Sequence, residues 1–172
     1  MNSTNQSEKS VSNGVHLLIS LLIRYPEIGT VTFDPDHHTL KLSFMFHNLP
    51  EQEDFAALEQ SLLQSLHTYY RLERFRQPLV NLSVKTVASL ITLTLVRDIY
   101  SFGKGEIDLV VAFLRQELGQ ALIVEANQPL VEEDLRFQEE LIENMLLSVK
   151  KEEVGHKLFG IREEGKVMVF NK

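Results

Sequence analysis

Apolar positions along this chain recur with two different spacings, and the switches between them mark out its elements. Val15, Leu17, Leu18, Ile19, Leu21, Leu22 and Ile23 crowd one short run. Ser12 or Asn13 can cap a helix there, and Pro26 forces its predecessor out of helical angles, so the run predicts a helix ending near Arg24. Apolar residues surround that helix on nearly every side, which requires a place in the middle of a domain or partial cover by another subunit. Strict alternation follows. Val31 and Phe33, then Leu40, Leu42, Phe44 and Phe46, share one side, with Lys41 and Ser43 on the other. This is the pattern of a half-buried hairpin, and its turn is Asp34-Pro35-Asp36-His37-His38.

Helical spacing returns at Phe55, Leu58, Leu62, Leu66 and Tyr69 and continues to about Arg74, behind Asn48 and Glu51, which are spaced as a capping box. Beyond Pro78, the run Leu79 to Val96 is β-branched and alternating, with Ile91, Leu93 and Leu95 opposite Thr92 and Thr94. It exceeds a normal strand of about 5–6 residues, so it must break near Thr86 to Ser89, although no Gly or Pro marks the turn. Ile107, Val110, Val111, Leu114 and Leu118 predict a third helix over Gly105–Leu118, stopped by a left-handed Gly119. Ala121 to Glu125 reads as a short buried strand. Asn127-Gln128-Pro129 opens a last helix, acidic at Glu132, Glu133 and Asp134 and basic at Lys150 and Lys151, as the helix dipole favours. Lys157–Arg162 and Lys166–Phe170 then flank Glu163-Glu164-Gly165, a hairpin loop with Gly in the left-handed position.

The order α-ββα-ββα-βα-ββ excludes a doubly wound parallel sheet, which alternates single strands with helices. It predicts an α+β fold, an antiparallel or mixed sheet of hairpins with helices packed mainly on one face. Thr39–Phe46 aligns by pattern with Ser89–Val96, and each is followed by an amphipathic helix; duplication of a ββα unit and coincidence both stay open. Residues 1–13, almost wholly Ser, Asn, Gln and Thr, are expected as a disordered polar tail before a single domain over 14–172.

Composition narrows the function classes. The chain has 172 residues, 44% of them hydrophobic, which suffices for a full core without staples. With no cysteine there is no disulfide framework, no thiolate metal site and no thiol nucleophile. Acidic residues number 24 against 17 basic, a formal charge of -7, which disfavours a phosphate backbone as main partner. The run Val15 to Ile23 lacks a basic leader and a cleavage site, and it is short of the roughly 20 residues that span a bilayer. A cytoplasmic location without membrane attachment is therefore expected.

Ligand-type residues gather at Asp34-Pro35-Asp36-His37-His38. The tripeptide Asp36-His37-His38 resembles a signature of the Asp-His-His phosphoesterases, manganese-dependent enzymes in which carboxylates and imidazoles bridge two metals. In that family it is one of several dispersed motifs in a larger, two-domain chain. Here His16, His47, His67 and His156 stand singly, and no second acidic motif precedes the first. Asp-Pro-Asp after a strand is also ordinary turn chemistry, so the expectation is a solvated turn with no functional metal. Phe102-Gly103-Lys104-Gly105-Glu106 lacks Walker spacing, and no Gly-x-Ser-x-Gly elbow occurs. The most basic stretch, Tyr69 to Arg76, interleaves aromatic residues with Arg71, Arg74 and Arg76, as some single-strand-binding surfaces do. Arginines at a helix C-terminus also complement its dipole.

Surplus apolar surface points to partners. In the last helix Leu135, Ile142, Met145 and Val149 form one seam that Phe137, Leu141 and Leu146 widen. In the terminal hairpin Val167 and Val169 face one side while Met168 and Phe170 face the other, so both faces want cover. The reading is a cytoplasmic protein acting by association as a homodimer, through the last helix and terminal hairpin, rather than an enzyme. No catalytic, cofactor-binding or metal-binding residue is assigned, and no cofactor is expected. Two alternatives stand beside it: a metal-dependent hydrolase centred on Asp34–His38, and an RNA-associated accessory protein using Arg71, Arg74 and Arg76.

Overall fold

A computed structural model describes residues 2–47, 55–76, 78–125, 131–151 and 156–171, with the side chains of 2–12 excepted. Its elements are α1 (Asn2–Arg24), β1 (Ile28–Asp34), β2 (Thr39–His47), α2 (Phe55–Leu72), β3 (Val80–Val87), β4 (Leu90–Asp98), α3 (Lys104–Leu118), α4 (Glu132–Lys151), β5 (Leu158–Glu163) and β6 (Lys166–Asn171). A 3-10 turn over Gly119–Ala121 follows α3. The expected capping box at Asn48 and Glu51, and the Asn127-Gln128-Pro129 opening of the last helix, lie outside the described residues.

The strands form one antiparallel sheet in the order β3-β4-β2-β1-β5-β6. This is the α+β arrangement of hairpins expected from the pattern. Alternation decides which face is covered. Val31 and Phe33 of β1, Leu40, Leu42, Phe44 and Phe46 of β2, and Ile91, Leu93 and Leu95 of β4 are buried with the apolar stripes of the helices in one core. Thr30 and Thr32, Lys41, and Thr92, Thr94 and Val96 alternate with them and are half-buried or exposed. Glycine permits a close approach of α1 to β5. A Cβ on Gly14 would come within 2.7 Å of the Leu158 Cδ1, and one on Gly160 within 3.1 Å of the Leu22 Cδ1.

Several details differ from the expectation. The stretch expected as a polar tail is, from Asn2 on, the first half of α1. No Gly or Pro interrupts residues 2–13, and extending a nucleated helix adds one hydrogen bond for each residue fixed. The segment Ala121–Glu125 supplies one bridge, Leu122 to Phe46, and one bond from the Ile123 N–H to the Met45 carbonyl at 2.9 Å. A full strand has no room there, because β1 already pairs with that edge of β2 from Ile28 onward. Leu17, Leu18, Leu21 and Leu22 of α1 are fully buried within the chain, so this side of the helix is covered by the protein's own core. Finally, β2 pairs with β4 from Thr39↔Asp98 to His47↔Leu90. Aligning Thr39–Phe46 with Ser89–Val96 sets inward Leu42 on outward Thr92. Side-chain parity requires one residue more, matching Leu40 with Ile91 and Phe46 with Arg97.

Candidate functional site

The terminal hairpin turns on Glu164 and Gly165, both left-handed at φ 50° and 76°, the conformation of a two-residue type I′ loop. Its twist matches that of the flanking strands and fixes the register Glu163↔Lys166, Ile161↔Met168 and Phe159↔Phe170. Alternation then sorts the side chains. Val167 and Val169 pack against the core beneath α1, which lies along β1, β5 and β6. Phe159, Ile161, Met168 and Phe170 share the opposite face, with Phe170 49% exposed. Beyond β6 no further strand pairs among the described residues.

The expected surface on α4 divides. Ile142, Leu146 and Val149 are buried, and Met145 packs against the core. The exposed excess is Phe137 at 63% and Leu147 at 54%. α1 packs on α4 and also on the hairpin strands, so it stands between the two patches the sequence had joined.

At the histidine turn, Asp34 Oδ1 accepts the N–H groups of Asp36 and His37 at 3.1 and 3.4 Å, and its Oδ2 pairs with His37 Nδ1 at 2.9 Å and Lys157 at 3.7 Å. Burial works against ionisation of Asp34, yet the His37 bonds and the Lys157 charge outweigh it and hold the carboxyl below its usual range. His38 adopts φ 52° and its ring rests 5.3 Å from that of Tyr100. Among the described residues no group of three or more His, Asp or Glu side chains is placed to hold a metal ion.

The basic stretch closes α2. The Phe75 N–H reaches the Tyr70 carbonyl at 3.0 Å and the Arg74 N–H the Arg71 carbonyl at 3.2 Å, with Arg74 at φ 59°. That is a Schellman stop with an arginine in the left-handed position usually taken by glycine. Phe75 folds back on Tyr69 and Tyr70, ring centroids 6.2 and 6.0 Å away, while Arg71, Arg74 and Arg76 point to solvent.

Several buried polar groups escaped the sequence reading, among them two arginines on inward positions of strands. Arg97, on the inward side of β4, donates through Nε to Glu106 Oε2 at 2.6 Å, through Nη1 to the Leu79 carbonyl at 2.7 Å and to Asp98, and through Nη2 to Ser101 at 2.9 Å. The Tyr70 hydroxyl donates to the same Glu106 oxygen at 3.0 Å, and its ring lies 4.6 Å from the guanidinium carbon. Burial pushes both the Glu106 carboxyl and the Tyr70 phenol above their usual ranges. The second group is Arg162 on β5, whose guanidinium donates to the Pro26 and Ile28 carbonyls at 3.1 and 3.0 Å and to the Leu22 carbonyl, closing the C-terminal end of α1. It lines a small pocket with Glu27, Thr30, Met45 and Ile123. The signal was available: Arg97 continues the inward phase of Ile91, Leu93 and Leu95, and Glu106 the buried phase of Val110 and Leu114.

Comparison with known proteins gives no matching family model, no matching curated protein and no matching solved structure. Among the described residues, no helix is long and apolar enough to cross a membrane.

Proposed function

We propose that this protein acts by association in the cytoplasm rather than by catalysis, as a homodimer joined through its terminal hairpin. The observation that carries the reading is the apolar outer face of β5 and β6, where Phe159 adjoins Phe170 and Ile161 adjoins Met168 at the margin of the sheet. Apolar patches beyond a few hundred Å² seldom stay exposed on monomers, and a two-fold contact between like chains is the commonest cover. Repulsion between two chains of net charge -7 opposes this, but physiological salt screens exposed charges over about 8 Å.

Light scattering across micromolar concentrations should show the mass rising from monomer to dimer. Met168→Glu, which sets a charge in the patch, should stay monomeric with an unchanged circular dichroism spectrum. A monomer mass for the parent chain wherever it is folded and soluble overturns the proposal.

A further inference from the structure

The geometry points to a binding site for a small uncharged carboxamide in the pocket where β1 begins. The site goes beyond the association proposed above and does not depend on it. It arises because β1 starts late. β1 meets β5 only from Thr30↔Ile161 onward, so Arg162 stands past the last pair. On the other side, beyond Ile28↔Phe44, the Ile123 N–H rather than β1 takes the Met45 carbonyl. Between these ends the strand bulges: Ile28 pairs with Phe44 and Thr30 with Ser43, which leaves Gly29 as the extra residue. A Cβ on Gly29 would lie 3.3 Å from the Met45 Cε, so glycine keeps the space beside that side chain free of crowding. The resulting cavity is about 80 Å³.

Two residues of its wall each keep a buried polar atom that has no hydrogen-bond partner among the described residues, and the two atoms are of opposite kind. Arg162 commits its Nη groups to carbonyls at the end of α1, which leaves its Nε–H as a donor. Glu27 gives Oε1 to Arg115 and keeps Oε2 as an acceptor. These residues are 6% and 4% exposed, and protein interiors seldom leave such groups unpaired. Water is a poor occupant of the whole cavity. About 10–15 Å³ admits one water, and each water needs about 2–4 polar partners. Pro26, Ile28, Met45 and Ile161 line the same space with apolar side chains. Charge then decides the ligand class. Glu27 and Glu125 both act on the Arg162 charge, and Arg115 pairs with Glu27, so two cations are matched by two anions. An anion drawn to Arg162 would meet the free Glu27 oxygen, and a cation drawn to Glu27 would meet both arginines. A primary amide carries an acceptor and a donor on neighbouring atoms with no net charge. Its carbonyl accepts from Arg162 Nε, its N–H donates to Glu27 Oε2, and a short alkyl tail lies on the apolar wall.

The test titrates the full chain, labelled with nitrogen-15, with propanamide and follows backbone amide shifts. Saturable shifts centred on Gly29, Thr30, Ile123 and Ile161 are expected, with a dissociation constant on the order of millimolar for so small a ligand. Butanone replaces the amide nitrogen by a methyl group, and propanoate replaces it by a charged oxygen. Each should bind at least about tenfold more weakly, because one buried group is then left unpaired or faces a like charge. Glu27→Met removes the acceptor and should weaken propanamide by about the same factor. The ligand series is read on the parent chain, so it decides even if Glu27→Met fails to fold. Butanone or propanoate binding as tightly as propanamide overturns the proposal. So does the lack of any saturable shift up to about 100 mM propanamide, which would mean that the two polar atoms hold ordered water only.

Discussion

On β4, Arg97 takes the inward position that Ile91, Leu93 and Leu95 fill with apolar side chains, and it is wholly buried together with Glu106. Removing two charges from water costs several kcal/mol for each ion, which their attraction repays only when further hydrogen bonds satisfy both. Leu79, Asp98 and Ser101 supply them for Arg97, while Tyr70 shares the Glu106 Oε2 with Arg97 and the buried Glu106 Oε1 has no hydrogen-bond partner among the described residues. Glu106→Gln should therefore cost about 3–5 kcal/mol in urea unfolding, since the buried guanidinium then keeps only the partly exposed Asp98 as counter-charge, whereas Arg97→Met combined with Glu106→Leu should be near neutral. A larger loss in the double variant than in the single one overturns this. Asp98 is shifted in the other direction: burial opposes its ionisation, but Ser101 and Arg97 outweigh it and hold its pKa below the ordinary 3.8. Its stabilising contribution is complete above that value and is lost as pH falls below it, through the folded pKa. Glu106, shifted upward from 4.5, acts oppositely, costing stability as pH rises past that value. Asp98→Asn should thus flatten the acid limb of the stability curve below about pH 4, measured by denaturant midpoints, and leave the neutral region parallel to the parent.

At the scale of elements, the helices hold the sheet through one stripe each. Leu58, Leu62, Leu66 and Tyr70 of α2 and Ile107, Val110, Leu114 and Leu118 of α3 recur at helical spacing and are buried. Leu62 and Leu114, at the stripe centres, are fully enclosed. Truncation to alanine at either should lower stability by about 2–5 kcal/mol, because packed neighbours close only part of the cavity. Losses below about 0.5 kcal/mol in chemical denaturation are typical of exposed positions and contradict the assignment. The ends of elements follow residue preference less strictly than the stripes do. Ala88 takes φ 55° in the β3–β4 turn, and Arg74 stops α2, both without glycine.

At the scale of the whole molecule, the arrangement of helices decides which surplus apolar surface belongs together. α1 separates the exposed Phe137 and Leu147 of α4 from the hairpin face of Met168 and Phe170. A dimer through the hairpin therefore predicts that Phe137→Glu keeps the parent's mass dependence in light scattering, while Met168→Glu abolishes it. The reverse result moves the interface to α4. Met145→Glu does not discriminate, since Met145 packs against the core and the change attacks folding itself.

Local pattern alone marked most of the elements and the faces they bury, though not the first half of α1 or the single bridge at Leu122. Period-2 alternation in Leu40–Phe46 and Ile91–Leu95, the stripe from Leu58 to Leu66, the Gly119 stop and the charge order of α4 are local signals, each readable within a few residues of chain. Such signals also named Asp34–His38 as a turn, and Asp34 is folded back on that turn's own amides. Tertiary structure alone decided the strand order, which sets β6 at an edge, and the placing of α1 between two apolar patches. Both depend on contacts between residues far apart in sequence, which no periodicity encodes. It likewise decided that Arg97 meets Glu106 and that Arg162 closes α1. A charge in an apolar phase looks like a solvated position until the fold brings its counter-charge, or a helix end, within hydrogen-bonding reach.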